Sequence, residues 1–253
     1  ADAPDRFKGL KVGVASYSFR KVPLDQTIKA IQRVGLHYVS IKDFHLSLKS
    51  TKEERQKVAA AFRDAGITPL SCGNITLTDD AAAARNAFEY CRDIGAQVMV
   101  CAPKSAAVLP MLEKLVKEFD VRMAIHNHGP EDKTFPSPYE VQAAVKDLDP
   151  RVGYCVDVGH TARAGHDPAK ALRDMKDRLY DCHFKDVSDV KGKNTKVEVE
   201  LGRGAIDVPA MVRALLDIKY AGLVGFEHEK DPVDPLPGLA ESVGYMRGVV
   251  AML

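Results

Sequence analysis

Eight short apolar runs, each followed by a longer amphipathic stretch, pace this chain from residue 11 onward. The runs are residues 11–16 (KVGVAS), 38–41 (YVSI), 67–71 (ITPLS), 97–101 (QVMVC), 121–125 (VRMAI), 152–156 (VGYCV), 179–184 (LYDCHF) and 223–226 (LVGF). Most lack polar alternation and are rich in Val, Ile and Leu, as strands buried on both faces are. Between them, apolar residues fall at helical intervals. Leu24, Ile28 and Ile31 share one face, and residues 52–62, 81–94 and 110–119 behave alike. Residues 138–148 open with Pro138 after Ser137, and residues 207–216 carry Pro209 near their start, both favourable helix beginnings. Gly35, Gly66, Gly95 and Gly222 precede strands, where a left-handed residue ends the helix before.

Strand–helix alternation repeated eight times within 253 residues closes most economically as a parallel barrel. The expected fold is therefore α/β, a single (β/α)8 TIM barrel, with residues 1–253 forming one domain. An open doubly wound sheet would carry a Gly-rich turn after its first strand, and this chain has Ala15-Ser16-Tyr17-Ser18-Phe19 there. Residues 188–201 are polar and then alternating, which predicts a long loop or small hairpin over the site. A Pro-rich loop at residues 231–238 leads into a last helix over residues 239–252.

Bulk properties remove several function classes. With 36 basic and 35 acidic residues the net charge is +1, which gives neither nucleic acid nor an anionic membrane an electrostatic handle. No apolar run approaches the roughly 18 residues of a membrane span. Five cysteines without short paired spacings argue against a disulfide framework or thiolate zinc cluster, and predict buried thiols. The opening Ala1-Asp2-Ala3-Pro4 lacks an initiator Met, as in a trimmed chain or a mature end left by signal-peptide removal. Periplasmic or exported and cytoplasmic locations both stand, and a homo-oligomer is compatible with the sequence.

In a parallel barrel, reacting groups sit at strand C-termini. Four consecutive strand ends read His126-Asn127-His128, Asp157-Val158-Gly159-His160, His183-Phe184-Lys185-Asp186 and Glu227-His228-Glu229. One His or Asp after a strand is ordinarily a loop hydrogen-bonder. Four strand ends in a row converge imidazoles and carboxylates on one axis, and such a cluster calls for a cation. His126, Asp157, His183 and Glu227 are the expected ligands. The bland alternative is a hydrogen-bonded polar rim without metal.

These residues resemble the sugar phosphate isomerase/epimerase barrels related to xylose isomerase. The likeness rests on the Ser-Tyr-Ser-Phe after the first strand, Asp157-x-x-His160, His183-x-Lys185-Asp186, Gly202-Arg203-Gly204-x-x-Asp207 and Glu227. The resemblance implies a divalent metal (Mn, Zn, Co, Fe or Mg), a small-molecule sugar substrate, and an enediolate formed by proton loss beside a carbonyl. Asp157, His183 and Glu227 match three ligand positions of the family. At the fourth, the family's usual Glu is His126 here, so the symmetric exchange between two facing Glu residues is put in doubt. The expected catalytic groups are Glu227, His126 and Lys185, with His128 a further candidate for the second proton-transfer role. His160, Arg203, His128, Tyr17, Lys42 and His45 are expected around the substrate. For Arg203 and Lys185 a solvated-loop role, for Lys42 an internal salt bridge, and for the aromatic Phe19 plain core packing weigh equally.

The leading expectation is a metal-dependent keto-sugar isomerase or epimerase. A lyase or dehydratase/hydratase acting on a keto-sugar or 3-keto-glycoside is second. Phosphodiester cleavage on the same barrel is disfavoured, because no Asp-x-His follows the seventh strand before Glu227. A non-catalytic sugar-binding protein with a vestigial metal site is the alternative outside enzymology.

Overall fold

A computed structural model describes residues 6–191 and 196–253. Eight strands are parallel neighbours: β1 (Lys11–Ala15), β2 (Tyr38–Ile41), β3 (Thr68–Leu77), β4 (Val98–Pro103), β5 (Arg122–His126), β6 (Val152–Asp157), β7 (Leu179–Phe184) and β10 (Leu223–Phe226). They close into a barrel in the order β1-β10-β7-β6-β5-β4-β3-β2. The expected (β/α)8 fold is present. A two-stranded antiparallel hairpin, β8 (Asp186–Val187) with β9 (Glu198–Val199), stands where a long loop or small hairpin was expected. Residues 192–195 of that loop, and the opening Ala1-Asp2-Ala3-Pro4 on which the location reading rests, lie outside the described residues.

The main helices follow the periodic stretches: α1 (Leu24–Arg33), α2 (Lys52–Asp64), α3 (Ala81–Asp93), α4 (Leu109–Phe119), α5 (Pro138–Val145), α8 (Val208–Asp217) and α9 (Leu236–Met252). Two short ones, α6 (Val158–Arg163) and α7 (Pro168–Asp174), fill the interval after β6, where no helix was expected. Asp157 starts α6 by accepting the His160 N–H at 2.7 Å through Oδ1. Among the described residues, no helix is long and apolar enough to cross a membrane. All five cysteines are buried and unpaired.

Outward-facing strand residues such as Val14, Val39, Met99, Ile125, Val156 and Phe226 are buried against the helices and form the main core. Alternation and register place a different set inside the barrel. Below the strand tips the inward positions include Gly13, Ser40, Ser71, Val98, Val100, Ala124, Cys155, Asp181 and Gly225. Apart from the two valines, which pack with Ala124 and Cys155, these are small or polar where bulky branched residues commonly fill such a barrel. β2 packs tightly on β1 here, and a Cβ on Gly13 would meet the Tyr38 carbonyl O at 2.2 Å.

β3 outruns its expected end at residue 71. Its register shifts between Cys72 and Ile75, and Gly73 takes φ 119 with its Cα so close to β4 that a Cβ would meet Val100 O at 2.1 Å. The Gly that reads as a strand breaker is a bulge that lets the strand continue. The bulge also delivers Asn74 to the C-terminal rim.

Candidate metal centre

His126 ends β5, Asp157 ends β6, His183 is next to last in β7, and Glu227 directly follows β10. Neighbouring registers set Asp157 beside His183 and Cys155 beside His126, so all these side chains face the axis. One ligand-type atom from each of His126, Asp157, His183 and Glu227 lies within 4.8 Å of the other three. His126 Nε2 is 3.0 Å from His183 Nδ1 and 3.4 Å from Asp157 Oδ2. His183 Nδ1 is 3.2 Å from Glu227 Oε2. All four residues are buried.

Lys185 enters the same cluster. Its Nζ stands 3.0 Å from Asp157 Oδ2, 2.7 Å from Glu227 Oε2 and 2.6 Å from Glu229 Oε1. Gly159 makes room for it, because a Cβ there would lie 2.5 Å from the Lys185 Cγ. A solvated-loop role for Lys185 is thereby removed: it is a buried ammonium among three carboxylates.

Charge follows from these neighbours. Burial works against ionised Asp157, but His160, Lys185 and His126 outweigh it and hold its carboxyl well below the usual range. Glu227 is likewise held low, by His183 and Lys185 acting against burial. Burial pushes His126 down to about 4, so it is a neutral imidazole at physiological pH. Burial opposes charge on His183 too, but Glu227, with Asp181 and Asp157, raises it to about 9. Lys185 is raised well above its ordinary value by Asp157, Glu227 and Glu229 in spite of burial. Cys155 reaches the same two imidazoles, but burial pushes its thiol well up and leaves it a poor thiolate ligand.

The set fits a divalent cation. Asp157 Oδ2 is turned into the cluster, 3.0 Å from Lys185 Nζ and 3.4 Å from His126 Nε2, while Oδ1 is spent on capping α6. Two imidazole nitrogens and two ionised carboxylates make a borderline donor set of the kind zinc, manganese, cobalt or iron takes. Binding must displace the His183 proton. Affinity should therefore rise with pH below about 9, the His183 value, and level off above it. Between pH 7 and 9 one displaced proton corresponds to roughly a hundredfold tightening. Chelator-competition titrations across that range measure this directly, and a flat profile would mean that His183 is already neutral.

The cluster floors a two-lobed cavity at the rim. One lobe, about 580 Å³, is lined by Tyr17, Lys42, Asn74, His128, Lys104 and Glu227 among others. The other, about 540 Å³, is lined by Lys185, Arg163, Glu198 and Lys230, and shares His128, Glu131, His160 and Glu229 with the first. Tyr17, Lys42, His128 and His160 thus line the cavity. Lys42 also pairs with Asp43 at 2.6 Å, the salt bridge weighed for it from sequence. At His160, Arg163 donates to Nδ1 at 2.9 Å. A guanidinium has no acceptor, so the ring proton sits on Nε2, which is 3.9 Å from Asp157 Oδ2.

Two expected substrate contacts are corrected. Arg203 points outward: its Nε and Nη2 pair with Glu241 on α9, the latter at 2.8 Å. The Asp186 carboxylate accepts the Gly202 and Gly204 N–H groups at 3.0 Å each and thereby turns the loop that way. His45 is consumed by packing behind the pocket, 3.1 Å from Ser16 Oγ, 3.2 Å from Thr27 Oγ1 and 3.1 Å from Val22 O, and lines neither lobe. Phe19 is core.

Sequence reading passed over Asn74, Arg163, Glu131 and Glu198. Asn74 Nδ2 lies 3.0 Å from His128 Nε2. Glu131 takes both Arg163 and, across the mouth, Lys196 at 3.0 Å. Glu198, from β9, accepts the Glu229 N–H at 2.6 Å. Burial pushes its carboxyl up to about 8, so it carries a proton at neutral pH.

The model of the xylose isomerase-like TIM barrel family matches residues 28–249. The chain belongs to that family. Inosose dehydratase from Clostridium tetani is 29% identical over 143 residues, covering 51% of this chain and 47% of that protein. The rhizopine catabolism protein MocC of Rhizobium meliloti is 30% identical over 148 residues, covering 53% of this chain and 45% of its own length. This xylose isomerase-like barrel spans about half the length of these relatives. Among solved structures, IolI protein with a bound zinc atom superposes with a TM-score of 0.77 at 18% identity, covering 96% of this chain and 99% of that one. L-ribulose 3-epimerase superposes with a TM-score of 0.75 at 14% identity over 96% and 95%. At such identities the likeness to those structures is one of fold.

Proposed function

We propose that this chain is a metal-dependent enzyme that removes the proton beside the carbonyl of a small keto-sugar and expels an oxygen from the adjacent carbon, as a dehydratase or lyase. The observation carrying the first step is the cluster itself, with Glu227 held ionised at the floor of a sugar-sized cavity. A divalent cation bound by His126, Asp157, His183 and Glu227 would supply Lewis-acid polarisation of the carbonyl, which acidifies the neighbouring C–H. Glu227 turns Oε2 toward His183 and Lys185, and Oε1, free of those contacts, takes the proton. His160 Nε2–H is a donor to an enediolate oxygen, and the Lys185 ammonium holds the Asp157, Glu227 and Glu229 carboxylates around it.

Elimination is favoured over two-base epimerisation by the other carboxyls. His126 occupies the strand tip from which a second facing carboxylate would act. Glu198 instead brings a protonated carboxyl into the Lys185 lobe. The electron pair of the broken C–H bond forms the new double bond, and the leaving oxygen departs with the Glu198 proton as water or an alcohol. The kinship with inosose dehydratases supports the same outcome. Isomerisation is the second reading, because the His160 Nε2 proton can serve a carbonyl oxygen without any leaving group.

The test is a panel of keto-sugars, inosose included, in deuterated buffer with zinc, cobalt or manganese. Metal-dependent deuterium exchange beside the carbonyl is expected. Glu227→Gln should slow it by about a hundred- to ten-thousandfold. Glu198→Gln should keep exchange and lose elimination. No exchange with any sugar and metal would instead favour a non-catalytic sugar-binding protein.

A further inference from the structure

The Arg163 side chain is 6% exposed, at the wall of the lobe that also holds Lys185. Helix α6 starts at the Asp157 cap and runs only to Arg163, so His160 and Arg163, three residues apart, share one of its faces. Arg163 Nη1 donates to His160 Nδ1 at 2.9 Å. Its Nη2 donates to both Glu131 carboxylate oxygens at 2.6 Å each. Nε is buried with no hydrogen-bond partner, so Nη1 and Nη2 carry the bonding of this guanidinium. Gly129 leaves room for the junction. Its φ is 83, and a Cβ there would lie 3.1 Å from Arg163 Nη1 and 3.3 Å from His160 Nδ1.

A guanidinium cannot accept a hydrogen bond, so it can hold an imidazole only by a bare nitrogen. That contact fixes the tautomer and the rotation of the His160 ring together. It thereby aims Nε2–H at the ligand cluster, 3.9 Å from Asp157 Oδ2. Glu131 anchors the other side of the guanidinium. It also takes Lys196 at 3.0 Å, and against burial Lys196 and Arg163 hold its carboxyl down to about 2. An Arg163–Glu131 salt bridge by itself would serve folding alone. The second Nη group, spent on His160, is what ties the pair to the site.

We infer that Arg163 is a positioning residue: clamped by Glu131, its guanidinium holds His160 by Nδ1 and aims the Nε2 proton at the oxygen that becomes negative as the substrate loses its proton. This rests on the proposed proton abstraction and adds to it a group outside the four metal ligands. Arg163 acts through His160. It should therefore govern the rate of proton abstraction and leave affinity for the cation unchanged.

Deuterium exchange into inosose and the other keto-sugars of the panel, on the zinc-loaded whole chain with kcat and KM separated, tests this. Arg163→Met should slow exchange by about ten- to a hundredfold through kcat with KM little changed, because a misaimed donor is missed chiefly in the transition state. Arg163→Lys keeps the charge but cannot reach His160 and both Glu131 oxygens together, so it should remain about tenfold slow. Zinc affinity, read by chelator competition, should be the parent's in both. In nitrogen-15 histidine-labelled protein, the bare His160 Nδ1 signal should move downfield in Arg163→Met as it loses its donor. Glu131→Gln, at a carboxyl 47% exposed, should move rate and signal the same way by less, and reports if the Arg163 variants do not fold. If Arg163→Met keeps kcat within about twofold of the parent with that signal unmoved, or if Arg163→Lys restores the full rate, the inference is overturned and the proposed chemistry stands. If the parent exchanges with no sugar of the panel, the proposed function fails and this inference falls with it.

Discussion

Replacing Lys185 with methionine is expected to cost the metal-free protein about 3–5 kcal/mol of folding stability. The ammonium sits 3.0 Å from Asp157 and 2.7 Å from Glu227, and both carboxylates are buried. Methionine fills similar volume but leaves the two buried carboxylates with only the His183 imidazolium between them, and an under-compensated buried charge costs far more than a missing surface pair. The pH dependence has a definite sign. In the parent both carboxyls are held below their ordinary values, so their contribution is present above the unfolded carboxylate range and is lost as pH falls. The deficit of the variant should therefore be largest near neutral pH and shrink in acid. Saturating zinc should narrow it as well, because a ligand bound only by the folded state adds stability by mass action and restores positive charge to the carboxylates. Urea denaturation with and without zinc measures all three effects. A loss below about 1 kcal/mol, of the size seen for exposed pairs, would show that Lys185 is solvated.

Much of this centre is written in the sequence because barrel geometry fixes where strand ends go. Once eight apolar runs are counted, His126, Asp157, His183 and Glu227 must surround one axis, and period-two alternation decides that they face it. Lys185 follows from His183 by the same alternation. What local pattern does not encode is where loops travel. Arg203 sits in a Gly-Arg-Gly turn that looks built for a ligand, but the Asp186 carboxylate holds that turn by its backbone N–H groups and sends the guanidinium to Glu241. Asn74 was hidden because Cys72-Gly73-Asn74 reads as a strand end, whereas contact with Val100 makes it a bulge. Glu198 was hidden for a different reason. Its value depends on being folded over Lys185 and Glu229 by the β8–β9 hairpin, and an alternating Val-Glu-Val-Glu stretch has the same signature on any exposed edge. A small signal was available: four acidic or basic residues in residues 196–203 are many for a loop expected to cover a polar site.

The same geometry explains why two substitutions should act so differently from surface changes. Asp157 contributes one oxygen to the start of α6 and the other to the cluster, so its loss removes a ligand and a cap together. His183 contributes no cap, and its Nδ1 meets His126 and Glu227. Asp157→Ala should therefore lose both metal and stability, and His183→Ala chiefly metal.

Elemental analysis of the purified protein, dialysed against trace zinc, cobalt and manganese, is the decisive measurement. The account predicts one divalent ion per chain in the parent and a near-complete loss in both Asp157→Ala and His183→Ala. Full metal content in both variants, with each shown to be folded, would contradict it.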